Sequence, residues 1–499
     1  MSKLFEEFQD YLNKMNQYEH VITLLYWDMK TVTPKLGQAG HVDALTHFSS
    51  EHFAMSTSER LGEMLAGLAE PAEFEELTDT WQYIVKYMKK DYDRNKRIPA
   101  ELYNTFVQTQ AQAGIVWEEV KDKSDFSLFA PHLQKIIELT REMTGYTDPG
   151  KEVYDALLDQ YEEDMDSATI DTLFEDLKRE LIPLVKAILE KQKPENPAFS
   201  GYFDPNGQKK VQDMLLDYIG FRKDAGSVGE TEHPFTLNFS SKDVRVTNHY
   251  YEHDPLSSIF SAIHEGGHGI FEQNINPEYD NTVAGSCRYM GLHESQSRFY
   301  ENILGRNKNF WIPIYDKLGE LLPPFQEIPL EDFYQEINHV KNSFIRVNAD
   351  EVTYCFHIIL RYEMEKAIFR DRVPVDELPA LWNRKMQEYL QITPPNSAEG
   401  ILQDMHWSDG SFGYFPSYLL GSIYDGMLLD ALQEDLGDAD ELLRNGKIDE
   451  ITKWLNQKIH WYGSTRKPKE VIAAVCGKEV SAEPLIRYFK TKYTEIYGL

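Results

Sequence analysis

Apolar residues recur every three or four positions along most of this chain, a pattern that predicts amphipathic helices almost throughout. The first part reads as successive helices over about 4–30, 37–56, 73–95, 99–123, 127–146 and 167–192, with Thr33-Pro34 and Asp148-Pro149-Gly150 as breaks. Each has one polar and one apolar face, as in Trp81, Ile84, Val85, Tyr87 and Met88. Asn196–Gly207 interrupts the pattern, and a helix over about 208–221 follows. Then the period changes. Phe235-Thr236-Leu237-Asn238-Phe239 alternates apolar with polar, Ser240–Asp243 turns, and Val244-Arg245-Val246-Thr247-Asn248 alternates again, which predicts a β-hairpin.

Downstream the helical period returns. Asp254-Pro255 starts a helix that Asn276-Pro277 ends, and another begins near Met290. Further helices are expected at about 308–319, 330–341, 343–370 and 376–391. A loop from Thr393 to Pro416 follows, then helices at about 418–435, 447–459, 467–475 and 481–496. The stretch Val352–Leu360 is apolar on nearly all sides and predicts a buried spine. The fold class expected is mainly α, with one small β-hairpin.

Charge narrows the function. The 51 basic and 82 acidic residues give a net charge of −31, which argues against nucleic acid as a partner because phosphate binding needs a basic face. Cys287, Cys355 and Cys476 are scattered, so neither a thiolate metal site nor a disulfide framework is expected. The first residues form an amphipathic helix rather than a signal peptide, and no apolar run approaches a membrane span. A soluble cytoplasmic protein is the expectation.

One pentad carries chemistry. His264-Glu265-Gly266-Gly267-His268 lies in the helix begun by Asp254-Pro255, with apolar residues at 256, 259, 260, 263, 270 and 271. Residues four apart on a helix stand one turn above each other, so both imidazoles project from one face and can share one ion. Glu265, one position along, reaches a water on that ion. This is the HExxH arrangement of two zinc ligands and a general base. Two glycines in a helix interior each cost on the order of 1 kcal/mol, which makes sense where something approaches the backbone closely. A catalytic zinc takes three protein ligands and keeps an open position. Glu272, Glu278, Asp280, His293, Glu294 and Glu301 are candidates. Glu272 recedes along the pentad's own helix, and Glu278 and Asp280 follow a chain break too closely. Glu294 lies near the start of a second helix able to pack antiparallel against the first, whereas His293 points about 100° away around it. Glu294 is the expected third ligand.

Six segments then occur in order: His233-Pro234-Phe235, Asp243-Val244-Arg245-Val246-Thr247, the pentad, His293-Glu294-Ser295-Gln296, Ile345–Asp350 and Gly400–Trp407. Together they resemble the motif set of the carboxypeptidase Taq family, thermostable zinc metallocarboxypeptidases. Tyr26-Trp27-Asp28 followed by Thr33-Pro34 extends the similarity to essentially the whole chain. The resemblance implies a nearly all-helical fold with a deep groove, homodimers, and release of single C-terminal residues from peptides with broad preference. It implies one domain over 1–499, in which helices of about 1–195 cover the groove and about 230–420 form the zinc-binding core.

It also implies roles. His264, His268 and Glu294 would hold one Zn²⁺, for which Co²⁺ can substitute, and Glu265 would act as general base. An exopeptidase of this kind must recognise a carboxylate, best done by the planar fork of an arginine. Arg245 and Arg346 are the candidates, although Arg346 has the alternative of a helical pair with Asp350. His406 would donate to substrate or oxyanion, assisted by Tyr414 or Tyr418, and Asp404 would orient an imidazole. Two other readings compete: an oligopeptidase or dipeptidyl-carboxypeptidase on a related fold, and a helical scaffold that keeps a degenerate metal site.

Overall fold

Ser2 starts the first helix by accepting the Phe5 N–H on its hydroxyl at 3.3 Å, as a capping serine does. The computed structural model describes residues 2–192 and 194–499; expectations touching Met1 and Lys193 lie outside the described residues. Helix α1 (Lys3–Thr31) buries Phe5, Phe8, Leu12 and Met15 in its first half. Its second half lies on the sheet, where the Tyr26 and Trp27 rings each stand 5.9 Å from the Phe235 ring. The helix expected over 73–95 is a short turn, Pro71–Phe74, followed by Asp79–Asn95, because Thr78 accepts the Trp81 N–H and starts a new helix.

The predicted hairpin is present, within a three-stranded sheet of β1 (Gly226–Glu230), β2 (Thr236–Ser240) and β3 (Asp243–Asn248) in the order β1-β3-β2. Strand β3 pairs antiparallel with β2 and parallel with β1. The alternation decides what faces what. Thr236 and Asn238 lie opposite Val246 and Val244, and this face packs on α2 (Pro255–Gln273), the pentad helix. Leu237 and Arg245 occupy the other face, toward α1.

Helix α2 begins where Asp254 accepts the Ser257 N–H at 3.1 Å, with Pro255 just inside. Helix α3 (Met290–Arg298) continues without a break into a π-helical stretch, Phe299–Gly305. Helix α4 (Thr353–Phe369) is buried on nearly every side, as expected of a spine. It starts ten residues later than the periodicity indicates. Asp350 accepts the N–H groups of Val352 and Thr353 at 3.0 Å each and fixes the helix start there. Between 343 and 352 only a short turn, Arg346–Asn348, is helical, so the alternative reading of Arg346 as a helical partner of Asp350 does not hold, and its guanidinium pairs with Asp404. Helix α5 (Phe415–Leu436) packs on α3 from the side away from α2. One hydrophobic core runs through the molecule from Phe5 to Tyr493.

Candidate active site

Helices α2 and α3 touch backbone to backbone. A Cβ on Gly267 would stand 2.8 Å from both the Gln296 carbonyl oxygen and Ser297 Cα. From the other side, a Cβ on Gly421 of α5 would stand 2.9 Å from the Ser295 nitrogen. Helix α3 is therefore clamped between two glycines, the close approach that Gly267 permits, while Gly266 makes room for the Ile219 and Leu216 side chains.

The clamp carries Glu294 to the imidazoles. Glu294 Oε2 lies 3.6 Å from His268 Nε2 and 4.0 Å from His264 Nε2. The ligand atoms of His264, His268 and Glu294 all fall within 4.8 Å of one another. Donors about 2.0–2.2 Å from a tetrahedral ion stand about 3.3–3.6 Å apart, so the set fits a divalent metal after small adjustments. Two imidazoles and a carboxylate are also the donor types that zinc accepts in catalytic sites.

Neighbouring groups orient these donors. His264 Nδ1 is 2.8 Å from Glu301 Oε2, which turns Nε2 inward. Glu301, seven residues after Glu294 and in the π-helical stretch, stands behind the ligand His264, whereas Glu294 lies among the converging donors. Arg298 Nε donates to Glu294 Oε1 at 2.7 Å and leaves Oε2 free. His293 stacks on His268 with ring centroids 4.3 Å apart and pairs with Glu272 at 2.9 Å, outside the ligand set. Burial works to raise the Glu294 carboxyl, but Arg298 and the two imidazoles bring it well below the usual carboxylate range. Burial, reinforced by His293, pushes His268 down to about 3 and keeps it neutral. For His264 burial is outweighed by Glu301 and Glu294, which raise it to about 9.

Glu265 is buried, and burial raises its carboxyl above the ordinary value. Thr236 Oγ1 of β2 donates to Glu265 Oε2 at 2.6 Å. These groups line a cavity of about 990 Å³ whose walls run in sequence from Pro234 to Tyr418. On the outer face of the sheet the first helix packs through Trp27, whose ring stands 5.9 Å from that of Phe235.

Arg346 lies in the cavity wall and is buried. Its Nε and Nη2 donate to Asp404 Oδ1 at 3.0 and 2.9 Å, and its Nη1 donates to the Tyr354 hydroxyl at 3.0 Å. Asp404 also accepts from Arg361 at 2.7 Å. Its expected role toward an imidazole is therefore corrected: it anchors two arginines, and no hydrogen bond joins it to a histidine among the described residues.

Arg245 is corrected too. It sits on the sheet face turned away from α2, held by Asp243 at 2.8 and 2.9 Å and stacked 4.3 Å from the Phe239 ring centroid. The period of two along β3 puts its neighbours Val244 and Val246 toward the metal helix and Arg245 toward α1.

Tyr414 and Tyr418 line the cavity, whereas His406 does not. His406 stands behind Tyr418, with Nε2 3.3 Å from its hydroxyl and its ring stacked on Phe415 at 4.4 Å. Burial pushes this imidazole down to about 4, so it is neutral near pH 7.

Sequence reasoning passed over Thr236, Arg298 and Tyr354. Arg298 had a signal, four residues after Glu294 on the same helix face. Thr236 had none, because its partner Glu265 lies 29 residues on, and Tyr354 had none, because the chain between it and Arg346 does not run as one helix.

A family profile described as "Carboxypeptidase Taq (M32) metallopeptidase" matches residues 7–493. Carboxypeptidase 1 of Bacillus subtilis is 43% identical over 496 residues, covering 99% of each chain. Thermostable carboxypeptidase 1 of Pyrococcus furiosus is 35% identical over 483 residues, covering 95% of each. Among solved structures, an M32 carboxypeptidase from Deinococcus radiodurans R1 superposes with a TM-score of 0.96 at 25% identity, over the full length of both chains. With its HExxH helix, third carboxylate and near full-length match, the chain belongs to the carboxypeptidase Taq family and is a metallocarboxypeptidase.

Proposed function

We propose that the protein removes single residues from the C-termini of peptides, using one zinc ion held by His264, His268 and Glu294. The observation that carries this reading is the presence of that donor set, Glu265 and Arg346 in the wall of one cavity. Bound zinc supplies a Lewis acid that polarises the scissile carbonyl and lowers the pKa of water at the site. Cobalt, with similar ligand preferences, can replace it.

Glu265 accepts a proton from the attacking water and returns it to the departing amine. Its raised carboxyl suits both tasks, and Thr236 holds the oxygen that does not take the proton. Arg346 receives the substrate's terminal carboxylate. Its Nε and Nη2 are fixed on Asp404, which leaves N–H groups on both terminal nitrogens for a carboxylate in the cavity. Tyr414 and Tyr418 supply phenolic donors to the carbonyl oxygen as it gains charge, and His406 holds Tyr418 from behind. The reading includes a homodimer in the cytoplasm, with peptides as the only macromolecular substrates. The three free cysteines suit a reducing compartment.

The deciding experiment is digestion of an N-terminally blocked peptide with product masses followed over time. Loss of one residue at a time supports the reading. Release of dipeptides, or internal cleavage, contradicts it in favour of the dipeptidyl or oligopeptidase alternative.

A further inference from the structure

Tyr354 lies in the first turn of α4, is 6% exposed, and lines the cavity that also holds the metal donors and Arg346. Two guanidinium groups meet it, one at its hydroxyl and one on its face. Arg346 Nη1 donates to the hydroxyl at 3.0 Å. Arg298, which donates to the metal donor Glu294 at 2.7 Å, stacks on the ring with Cζ 4.0 Å from the centroid.

A guanidinium offers only donors, so the hydroxyl oxygen is the acceptor in its bond with Arg346. The Tyr354 O–H proton then has no acceptor among the described residues. A nearly buried hydroxyl beside a cationic fork, with its own proton unplaced, is suited to an anion that takes one hydrogen bond from each. The remaining N–H groups of Arg346 face the same requirement, since Asp404 engages only Nε and one hydrogen of Nη2.

We propose that Tyr354 binds substrate: its hydroxyl donates to one oxygen of the peptide's terminal carboxylate while Arg346 holds the group by charge. This rests on the reading of Arg346 given above. The contact series Glu294–Arg298–Tyr354–Arg346, built from steps of 2.7, 4.0 and 3.0 Å, then ties the carboxylate position to the metal. Arg346 itself sits in an irregular segment, and Tyr354 on the buried helix supplies the firm point for it.

The test compares one N-blocked peptide as its free acid and as its C-terminal amide, reading the acid-to-amide ratio of kcat/KM. Tyr354→Phe keeps the ring on Arg298 and removes the hydroxyl, which is both the proposed donor to substrate and the acceptor of the Arg346 Nη1 hydrogen bond. The ratio is expected to fall about tenfold or more, mainly through KM for the acid, with zinc content unchanged. A ratio within twofold of the unmodified enzyme overturns the proposal.

Arg346→Gln in the same assay separates the two readings. A ratio lowered by Arg346→Gln but not by Tyr354→Phe overturns the role of Tyr354 alone. A ratio lowered by Tyr354→Phe but not by Arg346→Gln overturns the role of Arg346. Should Tyr354→Phe lose zinc or melt early, Tyr354→His, which keeps a ring and a donor, takes its place. Selectivity within about threefold of the unmodified enzyme supports the proposal, and selectivity as low as that of Arg346→Gln overturns it.

Discussion

Thr236 on β2 donates a hydrogen bond from its hydroxyl to Glu265 on α2 at 2.6 Å, so the sheet and not the pentad's own helix holds the carboxyl proposed as general base. The hairpin beside the metal helix thus has a chemical duty in addition to any part in aligning substrate. Thr236→Val keeps the shape and removes the donor. A hydrogen bond to a charged group contributes about 1.5–3 kcal/mol, so kcat is expected to fall about tenfold or more while bound zinc stays constant. Steady-state kinetics with metal analysis checks this, and loss of zinc would contradict it.

Glu265→Gln separates base from ligand. Turnover is expected to drop by roughly 10²–10⁴ with zinc still bound at one per chain, because Glu265 is not among the converging donors. Full turnover in this variant would contradict the general-base role proposed for Glu265.

Gly267→Ala tests the clamp. Alanine improves helix propensity by about 1 kcal/mol, which by itself would stabilise α2. The added Cβ, however, stands 2.8 Å from two backbone atoms of α3, and overpacking of this kind costs about 1–3 kcal/mol. Backbone atoms yield less readily than a side chain, so the clash is expected to win. Melting temperature and zinc affinity should fall together; a more stable variant with unchanged zinc binding would contradict the account.

Glu365 on α4 gives a pH signature away from the metal. It is fully buried and accepts from Tyr154 at 2.8 Å, the Gly413 N–H at 2.9 Å and Trp407 at 3.0 Å. Burial raises its carboxyl to about 7 against these bonds. A folded value above the unfolded one of about 4.3 means that its stability contribution is present below that pH and is lost as pH rises through about 7. Relative to Glu365→Gln, the unmodified protein should lose stability between pH 5 and 8, by on the order of 3 kcal/mol at most. Denaturation midpoints across that range check the slope, and a flat difference contradicts it.

The residues legible from sequence are those whose partners lie within one helix or one short connection. His264 and His268 are a turn apart, and Glu294 lies in the second turn of the next helix, so periodicity leads to the donor set. The hairpin is legible because β2 and β3 alternate, whereas Gly226-Ser227-Val228-Gly229-Glu230 offers only Val228 as a strand former and gives no such signal. Arg346 shows where local reasoning stops. Its partner is Asp404, 58 residues on, and nothing near 346 announces it. Asp350 then spends its carboxylate on the start of α4, so the apparent helical pair dissolves. Arg245 was placed on the right strand, but its direction depends on which face of the sheet meets α2, and only packing decides that.

Zinc titration of the demetallated protein, set beside the same titration of Glu294→Gln, tests the central claim most directly. The account predicts one tight site per chain in the unmodified protein and a loss of affinity of about a hundredfold or more in the variant. Equal stoichiometry and equal affinity in the two proteins would contradict it.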